Sequence, residues 1–344
     1  MIYADNAATT ALDIDAFEAM KPYLLKEYGN ASQPYSFARS AKKALAAARK
    51  TIADCIGAQP EEIFFTSGGT ESDNWAIKGT LQYGDGRAIL TSQIEHHAIL
   101  NACASVERLG YPVVYLSVDQ KGVLTPATLN KFITGNTKLV SVMLVNNEIG
   151  TIEPIKELAE IAHIHGAFFH TDAVQAVGHI PVNVTVLGID MLSASAHKFN
   201  GPKGTGFLYI RKGTDIHSLV DGGAQEFGMR AGTENIAAIV AMAEALRKNC
   251  AHMDETESRL CKMENSFIHA LNKAGIDFIR NGADNHLPGN ISISIKNASG
   301  EMLLHRLDLK GICISTGSAC DSVNTQVSVS YTHLRAHETA ANLV

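Results

Sequence analysis

The sequence predicts an α/β fold, in which a large domain with a mostly parallel sheet covered by helices precedes a smaller α+β domain. Between residues 63 and 210, short apolar runs rich in β-branched and aromatic residues alternate with segments of helical periodicity. Such alternation is typical of a parallel sheet with helices on both faces. A long helical stretch follows Asn235, and residues 290–295 then alternate between apolar and polar, which indicates the second domain.

The elements of the large domain follow from these patterns in chain order. Strands are predicted at residues 63–66, 88–91, 112–116, 139–144, 167–171, 191–195 and 207–210. Helices are predicted between them at residues 72–78, 99–109 and 155–165, and one continuous helical stretch is predicted at 236–274. We therefore expect a large domain at residues 1–250, whose first residues pack with a small domain at 251–327, and an unrelated tail at 328–344.

The composition is that of a globular protein with a sizeable core. The chain has 344 residues, of which 46% are hydrophobic and 19% charged, and its formal net charge is −6. This balance gives no electrostatic reason to expect nucleic acid or an anionic membrane as a partner. No apolar run reaches the roughly 18 residues of a spanning helix, and the N-terminus lacks the basic start of a signal peptide. We therefore expect a cytoplasmic protein that binds neither nucleic acid nor membrane.

The six cysteines are scattered, and no C-x-x-C pair occurs among them. This spacing argues against a disulfide framework and against a zinc site, so no metal site is expected. Cys320 differs from the others because it lies in a glycine- and serine-rich segment, where small residues leave the backbone free to move. The remaining five are interpreted as small packing residues, at positions 55, 103, 250, 261 and 313.

Two strand ends carry the residue types that a pyridoxal phosphate site requires. Asp172 follows the apolar run at 167–171, and Lys198 follows the run at 191–195. The cofactor needs an amine to form a Schiff base, a carboxylate to keep its pyridine nitrogen protonated, and donors for its phosphate. Side chains at the carboxyl ends of parallel strands face the ligand crevice, so these two residues are expected to lie together.

A glycine turn offers a place for the phosphate. Residues 64–74 predict a strand, a turn at Gly68 and Gly69, and a helix, with Thr70 and Asp73 spaced as a capping box. Free N–H groups at a helix start favour an anion. Taken alone, however, the pattern favours an ordinary strand-to-helix turn. The same holds for His96, which could stack on a cofactor ring, although a lone histidine is more often structural.

A series of collinear motifs resembles the cysteine desulfurases, which are pyridoxal-phosphate enzymes of fold type I in the class V aminotransferase group. The resemblance extends from residue 1 to about Val327. Its motifs are DNAATT at 5–10, TSGGTESDN at 66–74, EHH at 95–97, VNNEIGT at 145–151, DAVQ at 172–175, HK at 197–198, RAGTEN at 230–235 and STGSAC at 315–320.

The resemblance implies a role for each matching residue. Lys198 bonds the cofactor, Asp172 pairs with its pyridine nitrogen, and His96 stacks on its ring and can shuttle a proton. The remaining contacts implied for the cofactor and substrate come from Asn147, Gln175, Gly69, Thr70, Ser195 and His197. Thr233 matches a residue that reaches the phosphate of the neighbouring subunit's cofactor, so the resemblance implies a homodimer with shared sites.

The reaction that the resemblance implies is a sulfur transfer. L-cysteine is converted to L-alanine while its sulfur becomes a persulfide on Cys320, because an exposed, ionisable thiol can attack sulfur. The acceptor is expected to be an iron–sulfur scaffold protein or a thiolation enzyme, and Cys320 can transiently share a cluster with such a scaffold. Cys313, among apolar neighbours, is interpreted as packing.

Two other classes of function stay open. A related pyridoxal enzyme, either a selenocysteine lyase or an aminotransferase, would share the motifs up to Thr233, although Cys320 argues against an aminotransferase. The second alternative is a truncated, poorly active homologue that only binds the cofactor. Its motivation is the tail at 328–344, which we interpret as foreign sequence, expect to be disordered, and do not credit with the family's substrate-binding arginine at Arg335.

Overall fold

The computed structural model describes residues 1–82 and 86–316 of the chain. Its strands are β1 (Ile2–Tyr3), β2 (Ile63–Thr66), β3 (Ala88–Ser92), β4 (Val113–Leu116), β5 (Thr137–Ser141), β6 (Phe168–Asp172), β7 (Met191–Ser195), β8 (Gly206–Ile210), β9 (Phe278–Arg280), β10 (Ile293–Ile295) and β11 (Ile312–Cys313). Its helices are α1 (Ile14–Leu25), α2 (Arg39–Ile56), α3 (Gly69–Gly79), α4 (His97–Glu107), α5 (Pro126–Phe132), α6 (Ile155–Ile164), α7 (Val184–Leu187), α8 (Ile236–Ala251), α9 (Met253–Lys273) and α10 (Gly300–Asp308).

The central sheet has seven strands in the spatial order β2-β8-β7-β6-β5-β3-β4. Strands β7, β6, β5, β3 and β4 run parallel, whereas β8 is antiparallel to both of its neighbours. Every residue of β5, β7 and β8 is buried, as expected for strands that are covered on both faces. The predicted α/β class with a mostly parallel sheet is confirmed.

Helices cover the sheet on two sides and bury two apolar clusters. The larger cluster includes Ile52 of α2, Leu158 of α6 and Met242 of α8. The smaller cluster includes Trp75 of α3 and Ile99 of α4. These helices therefore hold the sheet between two apolar layers, and the carboxyl ends of its parallel strands are left for polar side chains.

The chain start and the residues after β8 form smaller pairings. β1 pairs in parallel with β11, so the N-terminus lies beside residues 312–313. β9 and β10 form a separate antiparallel pair, in which β10 is shorter than the predicted strand at 290–295. The predicted helical stretch at 236–274 is interrupted at His252, between α8 and α9. The domain boundary near residue 250 stays a prediction.

Within residues 1–82 and 86–316, none of the helices combines the length and the apolar character that crossing a membrane requires.

Candidate active site

The ends of two neighbouring parallel strands form the floor of the candidate site. Asp172 is the last residue of β6 and pairs in register with Ser193 of β7. β7 ends at Ser195, and a short 3₁₀ helix, Ala196–Lys198, follows at once. The structure therefore brings Asp172 and the Lys198 loop to the same edge of the sheet, where the strand ends in the sequence predict them.

Lys198 is held by the N-terminal segment of the chain. Its Nζ donates hydrogen bonds to the carbonyl oxygen of Ala7 and, at 2.9 Å, to that of Ala8. The backbone N–H and the Oγ1 of Thr10 both donate to the carbonyl oxygen of His197 at 2.9 Å. The sequence motif at residues 5–10 thus has a physical role that local patterns did not reveal, because it braces the lysine loop from far along the chain.

Asp172 is buried, and its backbone surroundings fix its carboxylate. Its Oδ1 accepts a hydrogen bond from the Val174 N–H at 2.9 Å. Burial raises the pKa of Asp172, and the nearby charges of His96 and Lys198 oppose that rise. Gln175 is also buried, and its Nε2 donates to the Ala7 carbonyl oxygen at 3.0 Å. Gln175 and Lys198 therefore both donate to the carbonyl oxygen of Ala7, and Asp172 lies three residues before Gln175.

His96 caps the start of α4 and faces Asp172. Its Nδ1 accepts a hydrogen bond from the Ala98 N–H at 3.1 Å, so the neutral ring carries its proton on Nε2. Ligand-type atoms of His96, Asp172 and Asp73 all lie within 4.8 Å of one another. A cation could use such a group, but one ring nitrogen is already engaged and burial favours neutral carboxyls. We interpret the group as part of the pocket that would surround a cofactor ring.

Asp73 is a site residue that the sequence analysis did not identify. The predicted capping box with Thr70 is wrong, because Gly68 occupies the cap position of α3 and Asp73 points into the interior. Its Oδ1 has no hydrogen-bond partner among the described residues. Burial, followed by the charge of Asp172, raises the pKa of Asp73 well above its usual range. Asp73 lies on the buried side of α3 beside Ser72 and Ala76, and this placement is visible only in the structure.

His170 lies behind the two carboxyls and links them to the sheet. Its Nδ1 and Nε2 lie 2.9 Å from the hydroxyls of Ser141 and Ser193, respectively. Its Nε2 is 3.9 Å from Oδ1 of Asp73. Complete burial lowers the pKa of His170 to about 3. The ring is therefore neutral at physiological pH and acts as a hydrogen-bonding bridge within the sheet.

Replacing His170 with glutamine should reduce the loss of stability on acidification. The unfolded histidine binds a proton below about pH 6.5, whereas the folded one binds it only below about pH 3. Unfolding therefore takes up a proton between these values, and the free energy of unfolding falls as the pH drops through that window. Denaturant unfolding at about pH 7 and about pH 5 measures the difference. Identical pH dependence in the variant and the parent would contradict this role.

The start of α3 meets both strand ends and forms a candidate phosphate cradle. A methyl group added at Gly69 would stand 2.7 Å from Cγ2 of Val174 and 3.6 Å from Cβ of Ser195. Thr70 is exposed beside it. The first N–H groups of a helix have no intrahelical partner, and the helix dipole favours an anion there. Glycine at position 69 therefore lets the side chains of Val174 and Ser195 pack directly against the start of α3.

His197 completes the polar rim of this cradle. Its Nδ1 lies 3.1 Å from Oγ1 of Thr9. Burial, then the charges of Lys198 and Lys203, lowers the pKa of His197 to about 4. The ring is neutral at physiological pH and can offer a hydrogen bond without adding charge. Together with the Ser195 hydroxyl and the α3 start, this donor set fits a phosphate group.

Gly69→Ala should weaken cofactor binding and destabilise the fold. The added methyl would press on Val174 at 2.7 Å, and overpacking of this kind costs about 1–3 kcal/mol. Cofactor affinity and denaturant unfolding measure the two effects. Gly135→Ala is the matched control, because an added methyl there meets no atom within 4 Å. Equal cofactor affinity in both variants would contradict the cradle.

Asn147 lies on the loop that follows β5, and a buried neighbour fixes that loop. Asn146 donates from Nδ2 to the Ile94 carbonyl oxygen at 3.0 Å, and its Oδ1 accepts from the N–H groups of Glu148 and Ile149. This amide holds the half-buried Asn147 close to the segment that carries His96. Asn146 belongs to the motif at 145–151, and its role in that motif is to fix the loop through its buried amide.

The roles of two residues implied by the resemblance stay predictions. Thr233 is exposed on the surface of the chain. Cys320 lies outside the described residues. Ser315, near the end of the described part, donates from Oγ to Oδ1 of Asp5 at 2.7 Å. Because Asp5 is two residues before Ala7, the chain reaches the neighbourhood of the lysine loop before residue 316.

A lysine loop, a buried aspartate at adjoining strand ends, and a helix start with a glycine cradle define the class of pyridoxal-phosphate enzymes. Comparison with known proteins agrees with that class. Residues 2–339 match the family model described as aminotransferase class-V. This match extends past Val327, where the sequence analysis expected the resemblance to end.

The chain is similar to several curated proteins over most of its length. It is 50% identical over 330 residues to the cysteine desulfurase IscS of Dictyoglomus turgidum. The aligned region covers 95% of this chain and 84% of that protein. It is 47% identical over 329 residues to the cysteine desulfurase IscS of Methanosarcina thermophila, covering 95% and 81%.

Solved structures give the same result. A NifS-like protein superposes with a TM-score of 0.91 at 34% identity, covering 98% of this chain and 90% of that one. A structure described as SspA in complex with cysteine superposes with a TM-score of 0.87 at 34% identity, covering 97% and 94%. The chain belongs to the aminotransferase class-V family and, within it, to the cysteine desulfurase group, and its cofactor is pyridoxal phosphate. The predicted family is thereby confirmed.

Proposed function

We propose that this chain is a cysteine desulfurase that converts L-cysteine to L-alanine and collects the sulfur as a persulfide on Cys320. The observation that carries the proposal is the placement of Lys198 beside the buried Asp172, with the Gly69 cradle at the same sheet edge. The identity to the two IscS proteins supports the choice of cysteine as substrate.

The chemistry follows from what the side chains of the chain can do. When bound, pyridoxal phosphate supplies an electron sink that weakens the bonds at the α-carbon of an amino acid. Asp172 holds a proton on the ring nitrogen, because its carboxylate is fixed by Val174 and shielded from water. Lys198 moves the α-proton with its amine, which the carbonyls of Ala7 and Ala8 position.

His96 and Cys320 complete the proposed reaction. His96 would stack on the ring of the bound cofactor, and the proton on its Nε2 would be available for exchange with the substrate. The Cys320 thiolate attacks the substrate sulfur, so that a sulfur–sulfur bond forms while the carbon–sulfur bond breaks. The carbon takes up a proton and leaves as alanine. The hydrogen bond between Ser315 and Asp5 supports this role, because it brings the chain five residues before Cys320 close to the N-terminal segment that holds Lys198.

Product analysis of the cofactor-loaded protein tests the proposed function. With L-cysteine alone, we expect alanine and, in the presence of a reducing thiol, sulfide in equal amounts. Consumption of a keto acid without sulfide would instead indicate an aminotransferase. Exclusive turnover of L-selenocysteine would indicate a selenocysteine lyase. Cofactor binding without any turnover would favour the poorly active homologue.

We also propose that the enzyme is a homodimer. Thr233 is exposed, and Arg230, three residues before it, pairs with Glu71 in the first turn of α3 at 2.8 Å. Large apolar side chains of α1 are also exposed, including Phe17 and Leu25. Contiguous exposed apolar surface marks interaction sites. A single species of monomer mass in sedimentation equilibrium would contradict the dimer.

The acceptor of the sulfur is proposed as an iron–sulfur scaffold protein or a thiolation enzyme, as the resemblance implies. The cytoplasmic location stays a prediction from composition. Incubation of the persulfide-loaded enzyme with each candidate acceptor, followed by measurement of labelled sulfur on the acceptor, would distinguish the two pathways.

A further inference from the structure

Two cysteines outside the candidate active site form a pair. Cys55 lies near the end of α2, and Cys250 lies near the end of α8, against which α2 packs. Each thiol is the largest single influence on the pKa of the other, so the two sulfurs are neighbours. Both cysteines pack against the larger apolar cluster, as the sequence predicted, and both are only partly buried. The pair is therefore close enough to react as a unit and remains within reach of solvent.

The same two cysteines line one cavity. Its volume is about 370 Å³, and its other walls are mainly aliphatic, including Ile180, Val186 and Leu246. A cavity of this size admits small uncharged molecules, and its aliphatic walls keep the sulfurs away from competing polar partners. This separates the pair from Cys103, which is fully buried, and from Cys261 on α9, which does not line the cavity.

The two thiols are not equivalent. The interaction between them lowers the pKa of Cys250 and raises that of Cys55, where burial acts in the same direction. The charged neighbours of Cys55 are Asp54 and Arg247, which oppose each other. Since the thiolate is the nucleophilic form, Cys250 is the thiol that reacts first. Cys55, whose pKa is raised, is the thiol that keeps its proton.

We propose that Cys55 and Cys250 are a redox-active dithiol, which hydroperoxides convert to a disulfide that joins α2 to α8. The Cys250 thiolate attacks a peroxide oxygen, so a sulfur–oxygen bond forms, the oxygen–oxygen bond breaks, and water or an alcohol leaves. The Cys55 sulfur then attacks the Cys250 sulfur, the sulfur–oxygen bond breaks, and water leaves with the remaining proton. The two sulfurs lose two electrons in total, and the peroxide gains them.

The test uses the full-length, cofactor-loaded protein and hydrogen peroxide. After oxidation, alkylation and digestion, mass spectrometry should find the Cys55 peptide linked to the Cys250 peptide, and dithiothreitol should reverse the link. Cys261, which is also half-buried, serves as the internal control and should remain a free thiol. The oxidised protein should unfold at a higher temperature, because the cross-link restricts the unfolded chain.

Single variants separate the roles of the two sulfurs. Cys55→Ser should leave a sulfenic acid on Cys250 that dimedone traps, whereas Cys250→Ser should leave Cys55 unoxidised under the same conditions. If a variant fails to fold, protection of both thiols from alkylation by phenylarsine oxide, which bridges adjacent thiols, tests the pair in the unsubstituted protein. Oxidation of Cys55 and Cys250 no faster than that of Cys261, with no linked peptide, would overturn the proposal.

Discussion

Replacing Lys198 with alanine is expected to abolish the covalent cofactor adduct that borohydride fixes in the parent protein. Lys198 is the lysine that the structure places beside Asp172, with its Nζ at the carbonyls of Ala7 and Ala8. Without that amine the cofactor loses its covalent anchor and the α-proton loses its carrier. Since positioned acid–base groups contribute about 10²–10⁴-fold, we expect turnover of L-cysteine to fall by at least about a thousandfold.

Mass spectrometry of the reduced and digested protein locates the adduct. Lys203→Ala is the matched control, because Lys203 lies five residues further along and is exposed on the loop between β7 and β8. This control should keep the adduct and the yellow colour of the bound cofactor. An adduct found on Lys203 in the parent protein would show that the site is assigned to the wrong lysine.

The strands that could be predicted from the sequence are those in which apolar character and hydrogen bonding end together. β2 and β7 begin and end where the apolar runs do. β5 ends at Ser141, although residues 142–144 are buried and the N–H groups of Val142 and Leu144 still donate to carbonyl oxygens of β6. Apolar character does not distinguish a regular strand from such irregular pairing, so it could not place that end. Nor does local sequence encode that β8 runs antiparallel.

The break between α8 and α9 was missed for a related reason. Apolar residues continue at helical spacing on both sides of His252, where the backbone leaves the helical conformation. Residue propensity there does not forbid a helix, and no proline or glycine marks the break. The direction of each helix is set by what it packs against, and α8 is buried while α9 is largely exposed.

The residues of the candidate site also fall into those that the sequence could predict and those that it could not. Lys198 and Asp172 could be predicted because strand ends converge in any parallel sheet. Asp73 and His170 could not, because a polar residue on an otherwise helical or apolar pattern gives no sign of whether it faces solvent. Their burial becomes visible only when α3 lies across β6 and β7. The bracing of Lys198 by Ala7 joins residues 191 positions apart, which no local pattern encodes.

Cys320→Ser is expected to keep the cofactor and lose the release of sulfide from L-cysteine. Cofactor binding depends on residues that this substitution leaves untouched, among them Lys198 and Asp172. A serine hydroxyl is a far weaker nucleophile toward sulfur than a thiolate. We expect the absorbance of the bound cofactor to be unchanged, while sulfide production falls by at least about a thousandfold, as for the loss of an activated nucleophile.

Cys313→Ser is the matched control for that experiment. Cys313 is half-buried in β11, where it pairs with Tyr3 of β1, so the small parallel pair fixes its position. Serine there should lower stability slightly and leave sulfide production within about twofold of the parent, since surface and partly buried substitutions of this kind have small effects. Both variants remove one thiol from the same part of the chain, so a difference between them reports which position matters. Equal losses of sulfide from the two variants would mean that Cys320 is not the residue that receives the sulfur.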